Sequence, residues 1–360
     1  MTKKLRMAAV GFAHMHLETL VKDFSSLPDG VEWLGCADVP PYPKDPQSGR
    51  SRRIQDAAAW LDNMPVFDNY LDLLSAKPDL AIVCSDNRAH PDVVEALLKR
   101  NIHAVVEKPM AASLEDGLRM ARAASQSTAS LIINWPVTWM PVMHLAQKLT
   151  TQGAVGKPLR FHYRNADSLG PFSHGGPAMT EEELKKRWWY QHDRGGGALL
   201  DYCGYGCMLA QYFLQTPPVS AFCSQANLLN TFAEIEDYAT MTIHYDQAFA
   251  ILEGSWVNIG TEPFASGPIV YGSEGTLFAD RASNQVKVCK DFHGSQVKTY
   301  DVEPVDPRRA SLARELYHHI TTGEPVHPTL GVNLNLQALA ALDAGVRSAG
   351  SHQLETTGNI

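Results

Sequence analysis

Short apolar runs that alternate with helical patterns dominate the first third of the chain and restrict its fold most. Five such runs occur, at Leu5–Val10, Val31–Ala37, Asp79–Cys84, Ala104–Val106 and Leu131–Ile133. Runs of this length without polar alternation are typical of strands buried on both faces, and strands separated by helices form parallel sheets. The sequence therefore predicts an α/β domain with a doubly wound parallel sheet.

From Gly153 onwards the pattern is different. Strand-length runs rich in β-branched and aromatic residues, such as Leu159–Arg164, Ala239–Tyr245 and Phe249–Trp256, are separated by Gly, Asn and Asp. Direct connections without helices predict a mostly antiparallel sheet in an α+β domain. A length of 360 residues suits two domains, which we place at residues 1–130 and 131–360.

Composition excludes several classes of partner. The net charge of −8 and the pI near 5.9 give no basic footprint for nucleic acid. No apolar run approaches the ~20 residues that cross a bilayer, and the apolar run after the first lysines is too short for a signal peptide. We therefore expect a cytoplasmic protein with no nucleic-acid or membrane partner. The six cysteines form no CxxC pair and are predicted to be reduced and buried.

The first strand leads into a glycine turn and then a helix. Gly11 has the first position of the dinucleotide-binding motif GxGxxG, whereas Ala13 and His16 replace the second and third glycines. The helix that follows still offers free N–H groups and a positive dipole to a phosphate. We expect Phe12, Ala13, His14 and Met15 to contact a dinucleotide together with Gly11.

An acidic residue ends the second strand. Asp38 lies 27 residues after Gly11, near the usual offset of the carboxylate that binds the adenosine ribose. A carboxylate there repels a 2′-phosphate, so Asp38 favours NAD over NADP. NADP is not excluded, because Arg50, Arg52 and Arg53 follow in the next loop.

Polar residues also end the later strands. Ser85 and Asn87 follow the third run, and Glu107, Lys108 and Pro109 follow the fourth. In an open α/β sheet, ligands bind in the crevice beyond these strand ends. Lys108 is therefore our first candidate for chemistry on a substrate.

Several motifs occur together in one order: GFAHMH, Asp38, His90, EKP at 107–109, GGGALLD at 195–201 and GSEGTL at 272–277. Taken together, they resemble the Gfo/Idh/MocA family over essentially the whole chain. The resemblance implies a Rossmann domain that binds a nicotinamide cofactor, and a C-terminal domain whose large open sheet supports a homodimer or homotetramer. It also implies sugar or polyol substrates, with Lys108 as the catalytic lysine and Asp201 as the family's aspartate.

One position departs from the common family pattern. Members of the family commonly have DxGxH after the glycines, with the histidine as acid/base, whereas Tyr205 stands four residues after Asp201 here. Glucose-fructose oxidoreductase is similar in having a tyrosine at this position. A tyrosine titrates near ~10 when unperturbed, so we expect Lys108 to supply the cation that lets Tyr205 act as a base.

The remaining expectations concern the rest of the site. The cofactor-binding set is completed by Ser85, Asn87, His90, Glu107 and Lys108, and the substrate pocket by Asn134, Trp139, Arg164 and His192. We interpret the histidines as scattered, without the HxH or HExxH spacing of metal ligands, and so expect no metal site.

The predicted function is reversible hydride transfer between NAD(P) and a hydroxyl or carbonyl carbon of a sugar, polyol or sugar derivative. Two alternatives remain open at the level of the sequence. The first is a redox-neutral NAD-dependent glycoside hydrolase or lyase that acts through a transient keto-sugar. The second is a non-catalytic sensor that binds NAD(P).

Overall fold

The computed structural model describes residues 4–40, 64–166, 170–171, 180–258 and 267–358. These residues form two compact units. The first comprises Met1–Ala111, Glu115–Asn134 and Asp306–Val332, and the second comprises Ala112–Leu114, Trp135–Val305 and Asn333–Ile360. Arg50, Arg52 and Arg53, which kept NADP open as a cofactor, lie outside the described residues.

The first unit contains a six-stranded parallel sheet in the order β3-β2-β1-β4-β5-β6. Its strands are β1 (Leu5–Val10), β2 (Val31–Ala37), β3 (Val66–Phe67), β4 (Leu80–Val83), β5 (His103–Glu107) and β6 (Leu131–Asn134). Its helices are α1 (Leu17–Ser25), α2 (Tyr70–Ser75), α3 (His90–Leu98) and α4 (Leu114–Ser125). The predicted doubly wound sheet is confirmed.

Burial explains why β4, β5 and β6 have continuous apolar sequences. Every residue of β4 and β6 is buried, and only His103 of β5 is partly exposed. Strands of a parallel sheet are covered on both faces, so polar residues are confined to the strand ends. The site residues therefore collect at the carboxyl ends of β1, β2, β4, β5 and β6.

The second unit contains a nine-stranded sheet in the order β14-β13-β12-β11-β7-β10-β9-β8-β15. Its strands are β7 (Pro158–Asn165), β8 (Pro218–Ala226), β9 (Tyr238–Tyr245), β10 (Phe249–Ser255), β11 (Ile269–Gly272), β12 (Gly275–Asp280), β13 (Gln285–Cys289), β14 (Val297–Asp301) and β15 (Glu355–Thr356). All described pairs are antiparallel except β7 with β10. The expected mostly antiparallel sheet is confirmed.

Helices on this sheet are α5 (Pro141–Thr151), α6 (Glu181–Lys185) and α7 (Gly204–Leu214). A π-helical turn at Leu199–Cys203 precedes α7. The chain then runs through α8 (Leu312–Thr322) and α9 (Val332–Ser351). Alternation along β9, where buried residues recur at every second position, shows that one face of the strand is packed.

Helix α8 belongs to the first unit although it lies near the end of the chain. The Ala313 N–H donates to the Asp23 carboxylate at 2.9 Å, and the Ser130 hydroxyl lies 2.8 Å from Nε2 of His319. Tyr317 also hydrogen-bonds Asp29. Residues 306–332 therefore complete a unit that begins more than 300 residues earlier in the chain.

Two further expectations can be compared with the fold. The structure has all six cysteines as free thiols; five are buried and Cys289 is partly exposed, so the prediction of burial is confirmed for five. In the part of the chain that the structure describes, no helix combines the length and the apolar character that crossing a membrane requires.

Candidate active site

The loop after β1 passes very close to the end of β4. Gly11 has a φ of +83°, and a Cβ there would lie 2.6 Å from the Ser85 backbone nitrogen. The N–H groups of Ala13 and His14 donate to the Cys84 carbonyl at 2.9 and 3.0 Å. Only glycine fits both this backbone conformation and this approach, which explains why the first glycine of the motif is retained.

Asp38 helps to hold the same loop. Its Oδ1 accepts from the backbone N–H of Phe12 at 3.2 Å and from that of Val39 at 2.9 Å. The residue thus lies beside the glycine turn at the carboxyl end of β2, as expected for a residue that meets a dinucleotide.

Glu107 is the centre of a buried polar cluster at the end of β5. Its Oε1 accepts from Nδ2 of Asn134 at 2.7 Å, and its Oε2 lies 3.0 Å from Nδ1 of His16 and 3.8 Å from Nδ1 of His14. Burial is the largest single influence and raises the pKa of Glu107. The His16 ring, the Asn134 amide and the Lys108 ammonium together outweigh it, so the net pKa lies below the ordinary value.

Lys108 follows Glu107 and is only 4% exposed. The peptide bond that joins Lys108 to Pro109 is cis. An ammonium group at such a position interacts more strongly with a nearby charge than it would in water. The residue that the sequence singles out for chemistry is therefore buried at the carboxyl edge of the sheet.

His90 and Ser85 complete this part of the site. The His90 ring donates from Nδ1 to the Met110 carbonyl at 3.3 Å, and burial lowers the pKa of His90 to about 4, so the ring is neutral at pH 7. Within the described residues, His90 Nε2 and the Ser85 hydroxyl have no hydrogen-bond partner. Buried polar groups of this kind are available to a bound ligand.

Asp201 lies in the second unit, on the π-helical turn. It is 8% exposed, and its Oδ2 accepts from the Trp256 indole N–H at 3.2 Å. Gly254 allows β10 to approach the turn, since a Cβ there would lie 3.0 Å from Cβ of Tyr202. The sequence predicts a helix from Ala198 to about Leu214, and the structure has helical backbone over this range, with the π-helical turn as its first part. Such turns are frequent at functional sites.

Tyr205 is partly buried in the second turn after Asp201. Its ring packs edge-on against Trp135, with ring centroids 5.1 Å apart. The Trp135 indole in turn donates to Oδ1 of Asn335 at 2.6 Å. The tyrosine ring is thus supported by a tryptophan whose own orientation is fixed by a hydrogen bond.

Glu236 anchors the start of the π-helical turn. Its carboxylate accepts from the Leu199 N–H at 2.8 Å, and its backbone carbonyl accepts from the Ala198 N–H at 3.2 Å. Gly197, with a φ of +105°, leaves room for this carboxylate, because a Cβ there would overlap it. Burial raises the pKa of Glu236 to about 7, assisted by Asp237 and opposed by the Leu199 N–H.

The four residues expected in the substrate pocket have different surroundings. Asn134 is buried against Glu107. Arg164 pairs with Glu253 across β7 and β10, with its Nε 2.6 Å from the carboxylate. Trp139 is partly buried in a short 3₁₀ turn, and His192 is exposed in another.

Some residues of the site were not predicted from the sequence. Glu236 and Trp256 contact the turn that carries Asp201, and no motif marks them. His16 was expected to end the glycine motif, not to bind Glu107. The interpretation that no histidines have HxH spacing is wrong for His14 and His16, which stand two residues apart, and this pair is the signal that could have found the cluster.

A cavity of about 860 Å³ lies at the opposite, amino-terminal edge of the first sheet. Leu5, Asp79 and His103, at or next to the starts of three strands, contribute to its wall, as do Arg100 and Tyr317. None of the predicted site residues lines it. The candidate site is therefore defined by the carboxyl edge and not by this cavity.

Known proteins resemble the chain over both units. Residues 45–134 match the family described as "Oxidoreductase family, NAD-binding Rossmann fold", and residues 143–278 match the "GFO/IDH/MocA C-terminal domain". D-apiose dehydrogenase from Rhizobium rhizogenes is 27% identical over 64% of this chain and 60% of its own length. The chain thus covers less than two thirds of that relative.

Two more distant similarities add to this. The 2,7-anhydro-N-acetylneuraminate hydratase of Escherichia coli is 23% identical over 70% of this chain and 66% of its own length. An inositol dehydrogenase homolog from Azotobacter vinelandii, crystallised with NAD+, shares the fold with a TM-score of 0.76 at 18% identity, over 97% of this chain and 96% of that one. The two matched domains, in the order that the motifs predict, show that the chain belongs to the GFO/IDH/MocA oxidoreductase family.

Proposed function

We propose that the protein is an NAD(P)-dependent dehydrogenase that transfers a hydride between nicotinamide and a hydroxyl or carbonyl carbon of a sugar, polyol or sugar derivative. The observation that carries the proposal is Lys108, a buried lysine at the carboxyl end of a central strand in an NAD-binding Rossmann fold. The name of the relative that acts on D-apiose supports the substrate class.

The residues at the edge of the sheet suit a dinucleotide. Two observations support this. The loop at Gly11 leaves no room for a Cβ, and the Ser85 hydroxyl and Nε2 of His90 are buried without a hydrogen-bond partner among the described residues. We assign the cofactor contacts to Gly11, Phe12, Ala13, His14, Met15, Asp38, Ser85, Asn87, His90, Glu107 and Lys108. When bound, the nicotinamide supplies the acceptor or donor of the hydride. Asp38 favours NAD, because its carboxylate would repel a 2′-phosphate.

Three side chains would then act on the substrate. Tyr205 removes the hydroxyl proton during oxidation and returns it during reduction. Lys108 donates a hydrogen bond to the same oxygen and stabilises the negative charge that develops there. Asp201, oriented by the Trp256 indole, accepts a hydrogen bond from a second substrate hydroxyl.

The pocket residues have supporting roles in this proposal. Asn134 fixes the Glu107 carboxylate and so positions the strand end that carries Lys108. Trp139 and His192 are the side chains that we assign to the substrate itself. Arg164 contributes through its ion pair with Glu253, which orders β7 and β10.

A second candidate function is supported by one relative. The Escherichia coli relative is named a hydratase, which describes a reaction without net oxidation. An enzyme that oxidises a sugar carbon, eliminates or adds a group at its neighbour and reduces the carbon again would use the same lysine and tyrosine. A non-catalytic sensor would not need Lys108 in this position.

The test begins with calorimetric binding of NAD and NADP to the purified chain, followed by a screen of sugars, inositols and aldonic acids. We expect NAD to bind more tightly than NADP and one substrate to produce reduced nicotinamide. Conversion of a substrate with no net change in nicotinamide absorbance supports the redox-neutral candidate instead.

Two variants address the assigned roles. Lys108→Ala and Tyr205→Phe should each lower kcat at least about 10²-fold, the usual contribution of a positioned acid or base. Tyr212→Phe, which removes another buried phenol from the same helix α7, is the matched control and should retain turnover. Full turnover in either Lys108→Ala or Tyr205→Phe contradicts the mechanism.

We also propose that the nine-stranded sheet supports a homodimer or homotetramer. Apolar side chains are exposed on three of its strands: Leu159 on β7, Val219 and Phe222 on β8, and Val297 on β14. Exposed apolar groups of this kind often mark an interface. Light scattering should give at least twice the mass of one chain, and a monomeric mass at working concentration rejects this assembly.

A further inference from the structure

His14, His16 and Glu107 form a cluster whose close grouping the cofactor assignments of His14 and Glu107 do not explain, and His16 has no role in the hydride-transfer proposal. In the part of the chain that the structure describes, these are the one set of three or more histidine, cysteine or acidic side chains whose donor atoms all lie within 4.8 Å of one another. Two of the residues come from the loop after β1 and the third from the end of β5. The parallel sheet brings both segments to its carboxyl edge, with β4 between their two strands.

The distances in the cluster suit a small transition-metal ion. Both Nδ1 atoms face the same carboxylate oxygen, Oε2 of Glu107, at 3.0 Å from His16 and 3.8 Å from His14. In a tetrahedral site with bonds of about 2.0–2.1 Å, neighbouring ligand atoms lie about 3.3–3.4 Å apart. The two observed distances fall on either side of this value, and the donor atoms of all three residues lie within 4.8 Å of one another, so the two imidazoles would close on the ion as it binds.

The chemistry of the cluster points in the same direction. Two imidazoles and one carboxylate are a common ligand set of zinc and of non-haem iron, and three protein ligands leave at least one coordination position open. The His16 imidazole is held beside Glu107 by a hydrogen bond from its Nδ1 to the carboxylate. The Nδ1 of His14 accepts from the His16 N–H at 3.2 Å, so it carries a lone pair while it also faces an anionic oxygen.

The surroundings resemble those of a prepared metal site. The second oxygen of Glu107 is fixed by Asn134 at 2.7 Å, and ligating carboxylates are usually held by such an outer hydrogen bond. His14 and Glu107 are buried, whereas the side chain of His16 is 25% exposed. The cluster is therefore rigid on the protein side and open to solvent at one ligand.

We propose that His14, His16 and Glu107 bind one divalent transition-metal ion of the zinc type, with water or another oxygen ligand in the open position. The ligands are Nδ1 of each histidine and Oε2 of Glu107. The ion replaces the contact between Nδ1 of His14 and the His16 N–H and the hydrogen bond from Nδ1 of His16 to Glu107, and the His16 ring then carries its proton on Nε2. His14 and Glu107 are also assigned to the cofactor in the proposed function, so the ion and the nucleotide would share these side chains. A titration without nucleotide tests metal binding separately from hydride transfer.

The test uses the full untagged chain, stripped with a chelator and titrated with Co²⁺ without nucleotide. We expect one Co²⁺ per chain, a visible d–d absorption band and displacement by Zn²⁺. His14→Gln, His16→Gln and Glu107→Gln should abolish the band, and Asn134→Ala should weaken binding by about 10- to 100-fold. His318→Gln is the matched control, because His318 also pairs with a glutamate, Glu324, at 2.9 Å but belongs to no such cluster.

A measurement on the unmodified chain covers the case in which a variant does not fold. Zn²⁺ should protect His16, the exposed member of the cluster, from diethyl pyrocarbonate, as mapped by mass spectrometry, and leave the modification of His318 unchanged. Absence of a stoichiometric Co²⁺ complex in the wild-type chain overturns the proposal. So does a complex that His14→Gln and His16→Gln leave intact, or zinc that does not protect His16.

Discussion

At the scale of single residues, the glycine loop shows how one position can be fixed by two constraints at once. Gly11 combines a positive φ with a close approach to the backbone of Ser85. Gly153 has a similar φ of +77° but no atom within 4 Å of its Cβ position. The two glycines therefore separate the cost of the backbone conformation from the cost of the clash.

We expect Gly153→Ala to lower the free energy of unfolding by about 1–2 kcal/mol, the cost of a left-handed conformation. Gly11→Ala should cost at least about 2 kcal/mol more, because the end of β4 must move. Urea unfolding of the two variants beside the wild type gives the comparison. Equal losses would show that the approach to Ser85 does not constrain the loop.

At the scale of elements, the turn that carries Asp201 depends on a carboxylate from another segment. Glu236 accepts the Leu199 N–H and occupies the space left by Gly197. Its pKa is raised from 4.5 to about 7. Between these values the carboxyl is ionised in the unfolded chain and protonated in the fold, so stability falls as the pH rises from about 4.5 to 7 and is constant above.

Glu236→Gln keeps the acceptor and removes the ionisation. The variant should therefore gain stability relative to the wild type through this pH window, by up to about 3 kcal/mol at pH 8. Thermal unfolding at half-unit pH steps measures the difference, and Glu234→Gln, at an exposed position two residues earlier, should show none. If the stability difference between Glu236→Gln and the wild type does not change with pH, then the Glu236 carboxyl has the same pKa in the folded and the unfolded chain, which contradicts the prediction.

The regular elements could be predicted from the sequence because their causes are local. Apolar runs ending in Asp38 or in Glu107 and Lys108 predict parallel strands with polar carboxyl ends, and the structure has them at those positions. The capping box of Thr180 and Glu183 at α6 was equally predictable, and both of its hydrogen bonds are present. The partners of the site residues were not, because the contacts of Glu107 with His16 and of Asp201 with Trp256 join residues 91 and 55 positions apart.

At the scale of the whole molecule, the first unit is discontinuous in sequence. Its sheet is made by residues before 135, and residues 306–332 are added from the far end of the chain. Helix α8 is joined to this unit through Asp23, Asp29 and Ser130. Structural units of this kind often open and close cooperatively.

Hydrogen exchange followed by mass spectrometry in increasing urea should show this cooperativity. The amides of α8 (Leu312–Thr322) should lose protection together with those of α1 (Leu17–Ser25), since both belong to the first unit. Strand β14 (Val297–Asp301) is the control, because it is near α8 in sequence but lies in the second unit. Loss of protection in α8 together with β14, while α1 stays protected, would contradict the assignment of α8 to the first unit.

The late position of α8 also sets an order of events on the ribosome. The strands of the first sheet leave the exit tunnel early, but α8, which hydrogen-bonds Asp23 and Asp29, is translated only after eight of the nine strands of the second sheet. At synthesis rates of about 5–20 residues per second, the interval between the end of β6 and α8 lasts on the order of 10–40 seconds. Throughout it the nascent first unit exposes the surface that α8 later covers, so its folding is completed only when most of the chain has been made.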